Sequence, residues 1–158
     1  MRVDVVIATW DDTFMAMAEA TAKRSKDPRT QVGACIVGND NRVLSVGYNG
    51  APNGWHDDKF PWDDREQKRR YVIHAERNAI LNFRGSLREF QGATCYVTLE
   101  PCIECAKELA QVGVTRIIYR DEHKLNERPF LLYCECGITM RSISEVRKIA
   151  ANPDVCPF

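Results

Sequence analysis

The chain has 158 residues, including seven cysteines, and its 22 basic and 22 acidic side chains give a formal net charge of zero. That length predicts one domain over residues 1–158 that needs no disulfides, and the balanced charge argues against a polynucleotide-binding protein, which usually carries a basic surplus. The odd cysteine count, with neither a leader-peptide pattern nor an apolar run of about 20 residues, predicts a reduced, soluble, cytoplasmic protein.

The first part of the chain predicts one helix and a β-hairpin. Asp11 or Asp12 can cap a helix over residues 13–24. Strands over residues 32–37 and 43–47 are separated by turn-forming residues, so we expect them to pair antiparallel. The side of the helix that we expect to face the core carries Phe14, Met17, Ala18 and Ala22.

A long polar segment follows the hairpin. Residues 48–54 are rich in turn formers, and residues 55–70 are charged and show no strand or helix pattern. Because a loop of this length inside a domain is usually functional or mobile, we expect one of those two roles. His56, Asp57 and Asp58 could bind a second metal ion there, although a solvated acidic loop is the favoured interpretation.

Two short motifs lie on either side of the next predicted strand. His74 and Glu76 form His-x-Glu, and Cys102 and Cys105 follow Pro101 in Pro-Cys-x-x-Cys. Each motif alone is weak evidence, because a Cys-x-x-Cys pair also occurs in redox proteins and in structural zinc sites. Together they supply three zinc ligands, one fewer than a structural tetrahedral site needs. This combination is the signature of the zinc-dependent nucleobase deaminases.

Zinc and Glu76 have complementary roles in such a reaction. An exocyclic amine leaves a pyrimidine only after hydroxide adds to the ring carbon, and zinc lowers the pKa of bound water from about 16 toward 7. Glu76 is not a ligand, so it can carry the proton of that water to the ring nitrogen and the leaving amine. In the alternative interpretation, His74 is a hydrogen-bonded core histidine and the two cysteines are buried apolar residues. The presence of both motifs favours zinc.

The sequence around both motifs predicts helices that begin at the ligands. Residues 75–83 have apolar side chains at helical spacing, and residues 102–113 form a helical pattern that ends in glycine. Cys102 and Cys105 are three residues apart and so share one helical face at its positive end, where thiolates are stabilised. Two helix N-termini are therefore expected to converge on one metal ion.

The rest of the chain alternates strands and helices. Strands over residues 94–99 and 116–120 flank the second helix, which predicts parallel pairing through a crossover. Residues 129–135 predict a further helix, residues 138–143 a final strand, and the tail from Asn152 an unstructured end.

Three cysteines remain outside these motifs. Cys134, Cys136 and Cys156 would need a fourth ligand to form a zinc site, and no candidate lies nearby. Core or surface thiols are the favoured interpretation.

Four blocks of the sequence together resemble the deoxycytidylate (dCMP) deaminases of the cytidine deaminase superfamily. These blocks are residues 25–34, 47–54, 74–76 and 98–107. The resemblance implies an α/β fold, a three-layer α/β/α sandwich with a five-stranded mixed sheet. It also implies hydrolysis of dCMP to dUMP and ammonia in dTMP precursor synthesis, commonly by a homohexamer.

The resemblance also assigns roles to individual residues. His74, Cys102 and Cys105 would hold zinc, Glu76 would transfer protons, and Asn49 would contact the sugar or base. Activation by dCTP and inhibition by dTTP, each bound with Mg²⁺, would involve a site at the Gly47 loop, formed by Gly47, Tyr48, Asn49 and Gly50.

Other substrate contacts are less directly implied. Lys26 and Arg29 are candidates for the substrate phosphate, because a phosphate requires fixed cations or exposed backbone N–H groups, but both could be solvated loop residues. His123 stands where the family usually has a tyrosine near the substrate, and a surface histidine is the alternative. Tyr48 and Tyr119 could line either nucleotide site or pack in the core.

Two further functions compete with dCMP deamination. A tRNA or polynucleotide deaminase of the same superfamily would bind RNA tightly and in a salt-sensitive way, and would turn over little free nucleotide. A non-enzymatic zinc protein that senses dCTP and dTTP is the third hypothesis. Glu76 argues against it, since a structural zinc site has no use for an unligated carboxylate.

Overall fold

The computed structural model describes residues 5–124 and 128–152. Helices and strands alternate from residue 94 onward, and two short 3₁₀ helices lie at Asp57–Lys59 and Leu87–Phe90. The regular elements are α1 (Trp10–Ala22), β1 (Gly33–Val37), β2 (Val43–Tyr48), α2 (Arg65–Tyr71), α3 (Ala75–Asn82), β3 (Thr94–Leu99), α4 (Ile103–Val112), β4 (Arg116–Asp121), α5 (Phe130–Cys136), β5 (Thr139–Ser142) and α6 (Ile143–Ala151).

The strands form one five-stranded mixed sheet in the order β2-β1-β3-β4-β5. β1 pairs antiparallel with β2 and with β3, whereas β3, β4 and β5 pair parallel. The parallel strands are joined by α4 and α5, as the right-handed crossover rule anticipates for a β-α-β chain. The predicted hairpin, the crossover and the five-stranded mixed sheet between helices are confirmed.

Two apolar clusters pack on the two sides of the sheet. One joins α1 and α6 to the sheet through residues that include Phe14, Met15, Tyr96 and Ile143. The other joins α3, α4 and α5 to it and is the larger of the two. Its fully buried members include Ile36, Phe90, Val97, Leu109 and Ile117.

The first helix begins earlier than its sequence pattern indicates. Thr9 is the N-cap, and its Oγ1 accepts a hydrogen bond of 3.1 Å from the backbone N–H of Asp12. The prediction that Asp11 or Asp12 caps this helix is wrong, because both lie in its first turn. Met15 is 1% exposed and Met17 is 40% exposed. The predicted core face was therefore also wrong at Met17.

Residues 55–70 contain more structure than their composition suggests. Asp64 caps α2 by accepting hydrogen bonds from two backbone N–H groups of its first turn. Before α2, Phe60 packs between two indoles, with ring centroids 5.1 Å from Trp55 and 4.5 Å from Trp62. An aromatic cluster and a capped helix therefore order this segment, which the sequence analysis treated as a loop.

The C-terminal part ends in a helix that the sequence analysis missed. The strand expected over residues 138–143 is shortened to β5, because Ser142 ends it and caps α6 in a capping box with Glu145. The expectation for the tail applies almost wholly to residues 153–158, which lie outside the described residues. Within residues 5–124 and 128–152, no helix has both the length and the apolar character needed to cross a bilayer.

Two glycines allow helices to approach the hairpin closely. A Cβ at Gly33 would overlap the backbone of α1 at Ala18, and a Cβ at Gly47 would overlap the backbone of α3 at Ala79. The absence of a side chain at these two strand positions therefore sets the distance from each helix to the sheet. For α3, the same short distance also determines how close the first turn of the helix lies to the sheet.

Candidate metal centre and active site

The three predicted zinc ligands meet where α3 and α4 begin. His74 is the N-cap of α3 and Cys102 is the N-cap of α4, and both have extended backbone conformations. Cys105 lies in the first turn of α4, where it shares the direction of Cys102. The sequence analysis placed Cys102 inside the helix. As the N-cap, Cys102 has an extended conformation while its carbonyl accepts the first hydrogen bond of α4, from Ala106, and the fold still brings the three side chains together.

The distances among the ligand atoms fit a tetrahedral zinc ion. His74 Nδ1 lies 3.5 Å from Cys102 Sγ and 3.4 Å from Cys105 Sγ, and all three ligand atoms lie within 4.8 Å of one another. Zinc bonds of about 2.3 Å to sulfur and about 2.05 Å to nitrogen, at the tetrahedral angle, separate N from S by about 3.6 Å. The donor set therefore fits zinc, with Nδ1 as the imidazole ligand.

The electrostatic environment favours the metal-binding form of Cys102. The neighbouring Cys105 thiol and the His74 ring outweigh the effect of burial and lower the pKa of Cys102 to about 3. The contact with Cys102 raises the pKa of His74 and that of Cys105. A thiolate beside two further donors is the state that binds zinc. Both cysteines are free rather than disulfide-bonded.

Glu76 lies in the first turn of α3, two residues after the histidine ligand. Its side chain is 4% exposed and lines the cavity beside the ligand cluster, but it is not one of the clustered ligand residues. Burial raises the pKa of Glu76 to about 7. A carboxyl group that is buried, unligated and at the edge of a cavity has the placement that general acid–base catalysis requires.

One ion pair ties together the two helices that carry the ligands. Arg77 of α3 donates from Nε to Glu108 Oε2 of α4 at 3.0 Å, and a second, very short hydrogen bond from Nη2 to Oε1 makes the pair bidentate. Bidentate pairs fix geometry as well as charge. The relative position of the two helix N-termini, and so of the ligands, is restrained by this contact.

A cavity of about 540 Å³ opens over the ligand cluster. It extends from the metal site between the loop before β1, helix α2 and the segment after β4. Its polar lining includes Asp27, Arg29, Thr30, Asn49, Arg65, Lys68, Arg69, His74, Glu76, Glu100, Cys102, Glu122, His123 and Lys124.

Asn49 joins the cavity wall to the loop before β1. It is 6% exposed, its Oδ1 accepts a 2.8 Å hydrogen bond from the N–H of Val32, and its Nδ2 donates at 2.9 Å to the carbonyl of Thr30. Ser25 donates to the Asn49 carbonyl at 2.8 Å. The predicted substrate residue thus lines the cavity and also holds two segments of its wall together.

Glu100 positions the opposite wall, and the sequence analysis missed it. This side chain is 2% exposed, and its Oε2 accepts a 3.2 Å hydrogen bond from the backbone N–H of His123. Arg128 Nε lies 3.4 Å from Glu100 Oε1. Its place directly before Pro-Cys-x-x-Cys was the only sequence signal. The pairing with residues more than 20 positions later could not be deduced from it.

The other predicted substrate residues separate into two groups. Arg29 and His123 line the cavity, as expected for substrate contacts. Lys26 is not among the lining residues, and its Nζ lies 2.8 Å from Asp57 Oδ2 in an exposed ion pair. Tyr119 is 4% exposed and belongs to the apolar core on the α3 and α4 side. Neither Lys26 nor Tyr119 is therefore brought to this cavity.

The four residues of the Gly47 loop have different surroundings. Gly47 is buried under α3, where its lack of a side chain is required by packing. Tyr48 is 37% exposed and does not line the cavity. Asn49 lines it, and Gly50 exchanges backbone hydrogen bonds of 3.0 and 2.9 Å with Ile73, the residue before the histidine ligand.

The alternative metal sites can be located in the described part of the chain. There, His74, Cys102 and Cys105 are the only close group of three potential ligands. Asp57 pairs with a lysine instead. Cys134 and Cys136 are exposed free thiols on α5, as the favoured interpretation allowed, and Cys156 lies outside the described residues.

Comparison with known proteins finds a matching family and several relatives that are similar to this chain. The family described as the cytidine and deoxycytidylate deaminase zinc-binding region matches residues 8–121. Deoxycytidylate deaminase of Homo sapiens is 41% identical over 155 residues, covering 92% of this chain and 86% of the human protein. A probable deoxycytidylate deaminase of Drosophila melanogaster is 48% identical over 130 residues, 76% of this chain but only 63% of the fly protein.

A solved structure is also similar in fold. The crystal structure of the dCMP deaminase of cyanophage S-TIM5 in complex with dCMP and dUMP has a TM-score of 0.67 to this chain. It is 28% identical, and the match covers 84% of this chain and 95% of the phage chain. The family match includes all four residues of the two motifs, His74, Glu76, Cys102 and Cys105.

Proposed function

This chain belongs to the cytidine and deoxycytidylate deaminase zinc-binding family, and on that basis we propose that it hydrolyses dCMP to dUMP and ammonia. One observation carries the proposal: a buried, unligated carboxylate, Glu76, lies beside a three-ligand zinc cluster at the base of an open cavity. The deoxycytidylate deaminase of Homo sapiens, which is 41% identical over 92% of this chain, supports the choice of dCMP as the substrate.

His74, Cys102 and Cys105 would hold the metal, which when bound supplies a Lewis acid that makes water nucleophilic at neutral pH. Glu76 accepts a proton from the attacking water and delivers it to the ring nitrogen of cytosine. It then takes the remaining proton from the hydroxyl group added to the ring carbon and gives it to the amine, which leaves as ammonia while the carbonyl of dUMP forms. Water and dCMP are consumed and dUMP and ammonia are formed, so no redox partner is needed.

Asn49 and His123 are the proposed contacts to the nucleoside. The side chain of Asn49 is held in place by its bonds to Val32 and Thr30, so its position in the wall is set before substrate enters. The backbone of His123 is held by Glu100, which fixes the segment that presents the imidazole to the cavity. An imidazole face can stack on a pyrimidine ring.

We also propose the finer features that the family resemblance implies, namely activation by dCTP, inhibition by dTTP, Mg²⁺ bound with either nucleotide, and assembly as a homohexamer. The Gly47 loop offers a physical route for regulation. Tyr48 is accessible outside the cavity, whereas Gly50 is hydrogen-bonded to Ile73 beside the histidine ligand. A ligand that shifts the loop would therefore shift the start of α3.

A direct assay tests the function. Zinc-loaded protein is incubated with dCMP, CMP, cytidine and a deoxycytidine oligonucleotide, with and without dCTP and Mg²⁺, and loss of cytosine absorbance is followed. We expect rapid turnover of dCMP and a change in its rate with dCTP. No turnover of dCMP under any of these conditions would refute the proposal, and turnover of the oligonucleotide alone would identify a polynucleotide deaminase instead.

A further inference from the structure

Five cationic side chains line the cavity, and only one of them has an acidic partner among the residues that the structure describes. Lys68 makes a short ion pair with Asp27. In residues 5–124 and 128–152, the three arginines of the lining take part in no ion pair. The five cations are Arg29, Arg65, Lys68, Arg69 and Lys124.

Among the described residues, none of the acidic residues of the lining forms an ion pair with the three arginines. Asp27 is 3% exposed and its two oxygens lie 2.8 and 3.1 Å from Lys68 Nζ. Arg128 lies 3.4 Å from Glu100 and 3.0 Å from Glu122. The carboxylate assigned to proton transfer is buried beside the metal site. The three arginines therefore give the mouth of the cavity a surplus of positive charge that forms no ion pair among the described residues.

Helix α2 and the loop before β1 present this surplus from two sides. Arg65, Lys68 and Arg69 are spaced three and four residues apart, so they share one face of the helix. The buried pair with Asp27 turns that face toward the cavity. Asp27 Oδ1 also accepts the backbone N–H of Arg29 at 2.9 Å, which fixes the start of the loop on the other side.

We propose that Arg29, Arg65 and Arg69 bind the 5′-phosphate of the substrate, and that Asp27, through its pair with Lys68, is the residue that positions them. This inference rests on the proposed function, and it names the groups that select a nucleotide over a nucleoside. A phosphate dianion matches guanidinium groups, which bind its oxygens in pairs. Lys26, which the sequence analysis named together with Arg29 for this role, does not line the cavity and forms an exposed ion pair with Asp57.

The first experiment separates recognition of phosphate from chemistry. Steady-state kinetics with dCMP and with deoxycytidine are measured for Arg65→Ala, Arg69→Ala and the double variant. The matched control is Arg70→Ala, which removes an exposed arginine of α2 that does not line the cavity. We expect KM for dCMP to rise about 10- to 100-fold in the double variant, because charge-assisted bonds are lost. The kcat for dCMP and the kcat/KM for deoxycytidine should not change.

A second experiment tests the positioning role of Asp27. Asp27 Oδ2 also accepts a 3.3 Å hydrogen bond from Asn49 Nδ2, so Asp27→Asn should lower kcat/KM for both substrates. We expect the loss to be larger for dCMP than for deoxycytidine, because only dCMP also loses the orientation of the arginines. If this buried substitution prevents folding, as circular dichroism would show, the exposed arginine variants still decide the proposal. An equal fall in kcat/KM for dCMP and for deoxycytidine in the double arginine variant would mean that α2 is only structural, and would overturn the proposal.

Direct binding keeps this inference separate from the proposed reaction. Calorimetry with dUMP, deoxyuridine and inorganic phosphate is run on the zinc-loaded wild type and on the double variant. We expect the double variant to bind dUMP weakly and deoxyuridine as the wild type does, whether or not dCMP is deaminated. Unchanged binding of dUMP would overturn the proposal. So would loss of oligonucleotide binding with unchanged KM for dCMP, which would assign the arginines to a polynucleotide.

Discussion

Polar networks lie on both faces of the sheet, and they differ in how far their hydrogen bonds are satisfied within the chain. On the α1 and α6 side, Tyr96 donates to Asp11 at 2.6 Å, and Arg116 donates to both oxygens of Asp11 at 2.9 and 3.1 Å. Arg147 of α6 donates at 2.8 Å to Asp12. Every charge in this group has its partner within the chain, so the group stabilises the docking of helices and needs nothing else.

The α3 and α4 side is incomplete by the same measure. Among the described residues, three buried side-chain atoms lack hydrogen bonds, Glu100 Oε1, His123 Nδ1 and Tyr133 Oη, and all belong to this side or to the cavity at its edge. The metal ligands and the arginines of the cavity add further donors. Glu100 Oε1 still has an ion-pair partner, since Arg128 Nε lies 3.4 Å away. Because buried polar groups are normally satisfied, the difference distinguishes a network that is complete within the chain from one that has polar atoms free to bind water or a ligand.

The largest effect is expected from removing a zinc-ligating side chain on the α3 and α4 side. Cys105→Ala should release zinc at neutral pH and abolish deamination, since three protein ligands are already the minimum for a catalytic site. Elemental analysis measures the metal. Cys35→Ala, at a buried cysteine on the α1 side, is the control and should keep one zinc per chain. Stoichiometric zinc in Cys105→Ala would show that the ligand set is wrong.

Glu76→Gln should separate the metal from the proton carrier. We expect zinc to be retained and kcat for dCMP to fall by about 10²- to 10⁴-fold, because the amide cannot carry a proton while the ligands are untouched. Metal content and steady-state rates are measured on the same preparation. A rate within a few-fold of the wild type would remove Glu76 from the mechanism.

On the α1 and α6 side of the sheet, the largest effect is expected on stability, with no effect on activity. Met15→Ala should lower the free energy of unfolding by about 2–5 kcal/mol, because it leaves a cavity in the core. Met17→Ala, at a half-exposed position of the same helix, should cost much less. Chemical denaturation measures both, and kcat per zinc-loaded molecule should be unchanged in each. Equal losses would contradict the orientation of α1.

The smallest effect is expected at Asp11. Burial raises its pKa, but the bonds from Arg116 and Tyr96 outweigh burial and hold the pKa of Asp11 below its usual value. The ionised form therefore contributes stability above the unfolded pKa of about 3.9, and this is lost as pH falls through the lowered native pKa.

Asp11→Asn should accordingly lower the free energy of unfolding at pH 7 by about 1–3 kcal/mol and leave kcat/KM for dCMP unchanged. Denaturation at several pH values should show the difference from the wild type shrinking as the solution becomes more acidic than about pH 4. A difference that persists unchanged into acid would mean that the charge of Asp11 is not what the network uses.

The sequence was a good guide wherever function depends on residues that are close along the chain. His74 and Glu76 are two residues apart, Cys102 and Cys105 are three, and each pair directly precedes or opens a helix. The spacing of these residues along the chain therefore determined the direction in which their side chains point. It was a poor guide to α2, whose polar sequence has no apolar period, and to α6, whose capping box begins on the last residue of a strand.

The sequence by itself determined the zinc ligands, the unligated carboxylate and the alternation that makes a mixed sheet, because these follow from residue type and short-range spacing. Only the tertiary structure decided which cations line the cavity. Lys26 and Arg29 are equivalent in the sequence, but Asp27 binds the backbone of Arg29 and the side chain of Lys68, whereas Lys26 is drawn outward to Asp57. Ion pairs between residues far apart in the sequence therefore determine where these cations lie, and such pairs cannot be deduced from local spacing.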